Sequence, residues 1–340
     1  MKSLLQLIAA LFLSATSLGQ DIHWQPVASK PEVSYRGLSV VDNQTAWVSG
    51  SKGSVVRSTD GGRSWQACQV KGYEKCDFRS IYAFDQNSAV IASAGVPAVV
   101  LRTVDGGLSW TVVYSSSDTA VFFDGIDFFN KNEGIIYGDP IGGHLLILRT
   151  ENSGANWHEA PASSRPELLD GEASFAASGT AIRCYDNNRI IIATGGKASR
   201  LFISYDKGSH WRIVNPPFIH GENTTGIFST AFFNERTGVA VGGNYKQEQA
   251  KVNHVFYTTD GGSTWKAPAF PTRGYRECVE YLNKNTLIAT GPSGTDVSFD
   301  GGVNWKPVSD EKGFHVVRKS RKGSLVIAAG AEGKICLITM

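Results

Sequence analysis

The sequence predicts an all-β protein, a seven-bladed β-propeller of four-stranded antiparallel blades whose ring is closed by the N-terminal strand joining the C-terminal blade. Three observations lead to this prediction. An eight-residue motif recurs six times, similar strand-like segments surround each copy, and the two chain ends carry complementary parts of one further unit. A self-similar period of about 40–50 residues is typical of a propeller blade.

The motif follows the pattern Ser/Thr-x-Asp-x-Gly-x-x-Trp and first occurs as STDGGRSW at 58–65. Its third and eighth positions are, in chain order, Asp60 and Trp65, Asp105 and Trp110, Asn152 and Trp157, Asp206 and Trp211, Asp260 and Trp265, and Asp300 and Trp305. Asp can accept hydrogen bonds from N–H groups of its own turn, and Gly supplies positive φ. We interpret the motif as a structural hairpin loop without a metal, because a calcium loop needs several oxygen ligands from alternating positions and each copy offers one carboxylate.

The segments around each motif have a constant order. An alternating strand such as RGLSVV (36–41) or RSIYAF (79–84) comes first, followed by a tight polar turn. A second strand ends in small residues and Gly, a third leads into the motif, and a fourth begins at its Trp. Turns rich in Asn, Asp and Gly are those that antiparallel hairpins require, so each unit is predicted to be one four-stranded blade.

The chain ends predict how the ring closes. The last three strand-like segments, within 314–340, stop where another motif would begin, and DIHWQPVAS (21–29) matches the strands that follow the motif. Pairing residues 22–28 with the C-terminal strands would complete the seventh blade. It would also cover two sheet edges that otherwise favour aggregation.

The first residues and the charge balance predict an exported protein. An apolar run at 4–15 follows Lys2, which is typical of a signal peptide (1–19), and leaves a single propeller domain at 20–340. We expect a secreted or periplasmic location. No later apolar run approaches the ~20 residues of a membrane span. With 33 Lys+Arg against 31 Asp+Glu, the chain also lacks the basic excess of a nucleic-acid-binding protein.

The five cysteines suggest a disulfide but no metal site. Cys68 and Cys76 flank one short loop, and export favours a disulfide between them. Cys184, Cys278 and Cys336 lie in apolar segments and are expected to be buried thiols. The sequence has no C-x-x-C or His/Cys cluster of the kind that binds zinc.

The candidate binding surface is the face of the disc that carries the two-to-three and four-to-one connections, because length variation concentrates there and loops on a rigid scaffold often bind ligands. First strands start from this face and line the channel. The charged candidates on them are Arg36, Arg79, Asp124, Arg183, Arg276 and Glu277. Arginines can hold a carboxylate or an acidic segment by bidentate hydrogen bonds; alternatively, they pair with neighbouring acids merely to satisfy a wet channel.

At its repeated motifs the sequence resembles the Asp-box (BNR-repeat) proteins, and over residues 22–340 it looks most like the photosystem II stability/assembly factor family. The resemblance implies an exported seven-bladed assembly factor that binds another protein, in the bacterial envelope or, in a photosynthetic host, in the thylakoid lumen. It also implies an arginine-rich binding patch, carried over to Arg36, Arg79 and Arg276. No G-x-G-x-x-G, C-x-x-C or haem motif indicates a cofactor.

The alternative is a sialidase-like or other exported glycoside hydrolase that binds a glycan. Sialidases carry Phe/Tyr-Arg-Ile-Pro near the first blade, and YRGL (35–38) keeps only the first two residues. A Tyr/Glu nucleophile and an acid would come from Tyr275, Glu277, Glu280, Tyr281 and Asp124. Glu277 and Glu280 are expected to point to opposite sides of one strand, so we assign no catalytic residue.

Overall fold

Seven antiparallel sheets make up the fold of this computed structural model, which describes residues 22–28, 30, 32–186 and 188–340. The predicted signal peptide (1–19) lies outside the described residues. No helix among the described residues is long and apolar enough to cross a membrane. The seven-bladed all-β propeller predicted from the sequence is therefore confirmed.

The chain begins with β1 (His23–Ala28), which belongs to the last blade, and then forms three blades in succession. Blade one contains β2 (Tyr35–Val40), β3 (Ala46–Gly50), β4 (Val55–Ser58) and β5 (Gln66–Ala67). Blade two contains β6 (Ser80–Ala83), β7 (Ala89–Ala92), β8 (Ala98–Thr103) and β9 (Thr111–Ser116). Blade three contains β10 (Phe123–Phe128), β11 (Gly134–Ile141), β12 (His144–Thr150) and β13 (His158–Glu159).

The next two blades are less regular. After a 3₁₀ turn (Ala162–Ser164) comes β14 (Glu172–Ala173). Blade four contains β15 (Ile182–Tyr185), β16 (Arg189–Ala193), β18 (Leu201–Ser204) and β19 (Arg212–Val214), with β17 (Gly195–Gly196) between its second and third strands. Blade five contains β20 (Thr225–Phe232), β21 (Gly238–Asn244) and β22 (Val255–Thr258). Its inner strand also pairs with β17 and, through it, with β14, and its fourth strand is reduced to a bridge between Tyr257 and Lys266.

The last two blades complete the ring. Blade six contains β23 (Cys278–Tyr281), β24 (Leu287–Gly291), β25 (Gly294–Ser298) and β26 (Lys306–Ser309). Blade seven contains β27 (Phe314–Lys319), β28 (Val326–Gly330), a second 3₁₀ turn (Ala331–Gly333) and β29 (Ile335–Thr339). β1 pairs with β29 as its fourth strand, with Trp24 opposite Ile338 and Gln25 opposite Leu337. The predicted ring closure is confirmed.

The first strands of the blades contact one another around the central channel, and apolar side chains fill the spaces between neighbouring blades. Between blades two and three, for example, Val90, Val100, Ile136 and Leu146 are buried. Burying one such side chain contributes roughly 1.5–3 kcal/mol, so the blade interfaces supply the main stabilisation of the ring. This scaffold fixes the loops on both faces.

The repeated motifs are hairpin turns on one face of the disc. In each, the residue directly after the Asp or Asn donates its backbone N–H to a carbonyl of the one-to-two turn of the same blade, as Gly261 does to Arg236 O at 2.8 Å. The fourth motif position has positive φ in every copy, including Ser153 and Lys207 where the others carry Gly. The motifs and the one-to-two turns therefore share a face, and the remaining loops form the opposite one.

The disulfide predicted between Cys68 and Cys76 is not formed, because both residues are free, buried thiols. The Cys68 thiol points away from its own loop and lies 3.4 Å from Gly106 O in the motif of the next blade. Both cysteines belong to the apolar cluster between blades one and two. Cys278 and Cys336 are buried as predicted, and Cys184 is half-buried.

Candidate functional site

The main candidate site is a cavity of about 440 Å³ at the channel mouth on the face opposite the motifs. Loop residues on its rim come from four-to-one and two-to-three connections, namely Ser174–Ala177, Tyr245 and Pro292. Its charged and aromatic lining residues are Arg36, Arg79, Asp124, Asp139, Glu248, Glu277, Phe122, Phe175, Phe228, Tyr245 and Tyr275. The cavity thus lies on the face that carries the two-to-three and four-to-one connections, here called the variable-loop face.

First strands bring the charged residues to this mouth because each strand starts there. Arg36 is the second residue of β2, Arg79 immediately precedes β6, Asp124 lies near the start of β10, and Glu277 immediately precedes β23. Residues far apart in sequence therefore lie around one opening. Four of the six charged candidates predicted from the sequence line this cavity.

Arg36 and Glu277 form the centre of a buried network. The Arg36 Nη1 atom donates to Ala177 O at 2.9 Å and lies 3.2 Å from Glu277 Oε2, and His315 Nδ1 lies 2.6 Å from that same oxygen. Burial opposes ionisation of Glu277, but the charges of Arg36 and His315 outweigh it and lower its pKa. Likewise, Glu277 raises the pKa of Arg36 against the effect of burial. The pair is ionised and holds the guanidinium in place.

Arg79 is the more open of the two arginines. Its Nε atom donates to Asp77 Oδ2 at 2.7 Å, and 34% of its side chain is exposed. Within the described residues, its two terminal nitrogens donate no hydrogen bond to the protein. They are therefore available to a ligand, since the edge formed by the two terminal nitrogens can donate two parallel hydrogen bonds to a carboxylate.

An acidic wall stands beside Arg79. Asp124 is 1% exposed, and burial, together with the nearby Asp139 carboxyl, raises its pKa well above the ordinary range. Burial also raises the pKa of Asp139, whose Oδ1 atom accepts a hydrogen bond from Ser174 N at 3.1 Å. The wall is thus less negative than its two carboxyl groups would make it in water.

Aromatic rings form the third wall. Phe175 and Phe228 stack with centroids 4.0 Å apart and an interplanar angle of 9°, and Tyr275 meets Phe228 edge-on at 4.8 Å. Tyr245, which is 42% exposed, also packs edge-on against Phe228. Such rings offer an apolar platform for a side chain or a peptide backbone.

Arg276 does not reach the cavity, contrary to the prediction. It is fully buried inside the blade, where its Nε atom donates to Asp296 Oδ2 at 2.8 Å and its Nη1 atom donates to Tyr275 O at 2.6 Å. Neighbouring residues of an extended segment point to opposite sides. Since Glu277 faces the cavity, Arg276 faces the blade interior and has a structural role.

Arg183 lies toward the other end of the channel, near the mouth on the motif face. Its Nη2 atom donates to Glu280 Oε2 at 2.7 Å and its Nε atom to Thr230 O at 3.1 Å. A second cavity there, of about 170 Å³, is lined by Arg183, Glu280, Asp127, Arg318, Lys319 and Arg321. Glu277 and Glu280 therefore belong to different cavities.

The sequence did not predict the aromatic wall or Asp139 as parts of the site. Phe175 follows the long 158–174 connection and Asp139 lies in the second strand of blade three. The length of that connection was a signal for Phe175, and Tyr275 was named only as a candidate nucleophile of the glycosidase alternative. No group of three or more His, Cys, Asp or Glu side chains in the described part of the chain is arranged to hold a metal.

Comparisons with known proteins agree with this architecture. Residues 16–119 match the family described as photosynthesis system II assembly factor YCF48, and residues 256–267 match the BNR/Asp-box repeat. The comparison with curated proteins gave no match.

Several solved structures share the fold at low sequence identity. A structure described as YCF48 bound to D1 peptide has 15% identity and a TM-score of 0.66, covering 94% of this chain and 95% of that one. YCF48 from Cyanidioschyzon merolae has 17% identity and a TM-score of 0.66, covering 92% and 98%. A catalytically inactive virginiamycin B lyase from Staphylococcus aureus, with quinupristin, has 11% identity and a TM-score of 0.66, covering 94% and 100%. The chain thus has a seven-bladed propeller fold with six copies of an Asp-box-like motif, and it resembles the photosystem II stability/assembly factor family.

Proposed function

We propose that this chain is an exported, non-catalytic binding propeller that captures a segment of another protein in the cavity on the variable-loop face. The proposal rests on one observation above all: Arg36 and Arg79 border a cavity of about 440 Å³ that also has an aromatic wall. The description of one YCF48 structure as bound to D1 peptide supports this reading, since a propeller of the same fold holds a peptide. Its place would be the periplasm, the cell exterior or, in a photosynthetic host, the thylakoid lumen.

The chemistry of the cavity favours a segment that carries a carboxylate. The terminal N–H groups of Arg79 have no partner among the described residues. Glu277 holds Arg36 in position through Nη1 and does not occupy all of its N–H groups. Two guanidinium groups can hold an acidic side chain or a C-terminal carboxylate by charge-assisted hydrogen bonds. A cavity in the range of about 300–1,000 Å³ encloses a ligand of small-molecule size, so only a few residues of the partner would enter.

Affinity capture from the cell envelope, followed by mass spectrometry, tests the proposal. The double variant Arg36→Gln/Arg79→Gln should lose the partners that the wild-type chain captures. Arg63→Gln is the matched control, since Arg63 is an exposed arginine on the motif face that bonds to Asp60 O. Capture of the same partners by the double variant would refute binding at this cavity.

The second candidate is a sialidase-like glycosidase, and one contact favours it. The Tyr275 hydroxyl donates to Glu277 Oε1 at 3.2 Å in the cavity that also contains Asp124. Two observations weigh against it. Arg36 and His315 stabilise the Glu277 carboxylate and make it a weaker base, and burial raises the pKa of Tyr275 well above its ordinary value.

Fluorogenic sialosides and a glycan panel test this alternative directly. We expect no turnover above that of the Tyr275→Phe variant, which keeps the ring and removes the hydroxyl. Hydrolysis by the wild-type chain that disappears in Tyr275→Phe would favour the glycosidase over the binding propeller.

A further inference from the structure

Asp124 is a buried acidic residue of the main cavity. It lies in β10 at the bottom of the main cavity, is 1% exposed, and lines that cavity. Neither of its carboxyl oxygens has a hydrogen-bond partner within the described part of the chain. A buried polar group that stays unpaired costs roughly 1–3 kcal/mol, so Asp124 is a site at which a ligand could regain that energy.

Further oxygen atoms near Asp124 can accept hydrogen bonds from a ligand. Asp139 supplies a second carboxyl group, and the Ser174 hydroxyl is also unpaired within the described residues. Within the described residues the Tyr137 hydroxyl is unpaired too, and its pKa is raised by burial and then by the charges of Asp124 and Asp139. Arg79 is the cation whose charge acts on Asp124.

We propose that this acidic wall of Asp124 and Asp139 binds the side chain of a lysine or arginine in the captured segment. The inference rests on the proposed function and specifies its ligand. A cationic nitrogen offers several N–H donors and positive charge to two carboxyl groups at once. An apolar side chain would leave Asp124 unpaired, and an acidic one would bring no cationic N–H donor to it.

In this arrangement the cavity binds a negative and a positive group of the captured segment on two separate walls. Arg36 and Arg79 hold a carboxylate, and Asp124 with Asp139 holds a basic side chain. The stacked rings of Phe175 and Phe228 lie in the same cavity and contact the apolar parts of the segment. The preferred partner segment is therefore one that pairs an acidic group with a nearby Lys or Arg.

Selection from a random heptapeptide display library tests this inference on the folded chain. Peptides enriched by the wild-type chain, but not by Arg36→Gln/Arg79→Gln, should carry Lys or Arg at one constant position. For one such peptide, replacing that Lys by norleucine or that Arg by citrulline should weaken binding about tenfold. Asp124→Asn should reduce this difference to about twofold or less. Asp139→Asn, a half-buried position, serves as a second variant, and thermal unfolding verifies that both variants are folded.

The outcomes separate the two proposals. If the wild-type chain enriches no peptide relative to the double arginine variant, peptide recognition at the cavity fails and this inference fails with it. If peptides are enriched without Lys or Arg at a constant position, or if Asp124→Asn keeps the full preference, the inference is wrong while peptide binding stands.

Discussion

The guanidinium of Arg36 lies 3.2 Å from the carboxylate of Glu277, although 241 positions separate the two residues in the sequence. Arg36 is in blade one and Glu277 leads into blade six, so the ion pair spans the channel mouth above blade seven. His315 of blade seven contacts the same carboxylate at 2.6 Å. Three blades are thus joined at the point where a ligand would bind, and Arg36 is already oriented before any ligand arrives.

Removing Arg36 should destabilise the fold more than removing Arg79. Arg36→Gln leaves the buried Glu277 with His315 and Tyr275 as its remaining partners, and we expect a loss of about 1–3 kcal/mol in the free energy of unfolding. Arg79→Gln breaks a more exposed ion pair with Asp77, and such pairs contribute about 0–1 kcal/mol. Urea unfolding at neutral pH measures both losses.

The pH dependence of the Arg36→Gln effect provides an internal control. The pKa of Glu277 is lowered in the folded state, so the pair stabilises the fold above the ordinary Glu pKa of about 4.3 and this stabilisation is lost as the pH falls through the folded value. The difference between wild type and Arg36→Gln should therefore shrink in acid. Equal losses for the two arginine variants, or a pH-independent difference, would contradict the buried pair.

The motif Asp should stabilise its hairpin without affecting binding. Asp260 Oδ1 accepts hydrogen bonds from Thr258 Oγ1 at 2.8 Å and from Thr264 N at 2.9 Å, and Oδ2 accepts one from Thr264 Oγ1 at 2.6 Å. Asp260→Ala removes these three and a fourth, from Ser263 N to Oδ1 at 3.0 Å, and should lower the melting temperature by a few degrees. Asp260→Asn should lower the melting temperature less, because the Asn152 Oδ1 atom accepts the equivalent hydrogen bond from Asn156 N at 3.0 Å in its own motif.

Scanning calorimetry in a pH series verifies the origin of this effect. Hydrogen bonds to Thr264 lower the pKa of Asp260, and those to Ser64 lower the pKa of Asp60 to about 2. Their stabilisation should be complete above about pH 4 and should decline as the pH falls toward 2. An Asp260→Ala variant that lost partner capture but kept its melting temperature would show that the motif is a binding site rather than a turn.

The sequence was sufficient to predict the fold because the local signals agreed with the global arrangement. Each motif combines an acceptor, a positive-φ position and a Trp, and each predicts the same hairpin wherever it occurs. Ring closure was also predictable, since the segment at 22–28 resembles the other fourth strands. Blade five was the exception. Its fourth strand is only a bridge at Lys266, and β14 and β17 extend the sheet beyond its inner strand. Nothing in the sequence indicated either feature.

The sequence predicted a site residue correctly only where its position at the start of a first strand was enough to place it at the channel mouth. Arg36 and Arg79 begin such strands and reach the mouth. Arg183 lies two residues before the end of its strand at Tyr185, whereas Arg36 lies four before Val40, so at about 3.3 Å per residue Arg183 is several ångströms closer to the motif face. The prediction for Arg276 was wrong because neighbouring residues of an extended segment point to opposite sides. The sequence alone does not show whether Arg276 or Glu277 faces the channel.

Replacing Asp124 should make the protein more stable at neutral and alkaline pH. Burial raises the pKa of Asp124, so the folded state binds a proton that the unfolded state releases, and wild-type stability falls as the pH rises from the ordinary Asp pKa of about 3.9 through the folded value. Asp124→Asn keeps the shape and does not titrate. Its free energy of unfolding should therefore exceed that of the wild type by a margin that grows with pH.

Urea unfolding between about pH 5 and pH 8 measures this margin. Asp139 and Asp127 also have raised pKa values, so the variant's own profile should become shallower without becoming flat. Asp170→Asn, at a fully exposed carboxylate, is the matched control and should leave the profile unchanged. A margin that is constant across the pH range would mean that Asp124 is ionised in the fold and has a partner after all.

Trp24 should contribute to stability out of proportion to its position near the chain start. Its ring lies 5.0 Å from that of Phe314, and its backbone pairs with Ile338 in the sheet that closes the ring. Trp24→Ala removes part of the apolar surface that packs on blade seven and should lower the free energy of unfolding by about 2 kcal/mol. Truncating a fully buried Trp would cost more, because the Trp24 side chain is only half-buried. Phe270→Ala, at a ring that is 69% exposed, is the control and should change stability by less than about 0.5 kcal/mol. Urea unfolding compares the two, and size-exclusion chromatography follows association through the loosened edge of β29. If Trp24→Ala were as stable as Phe270→Ala and equally monomeric, the pairing of the two chain ends would not be what holds the ring closed.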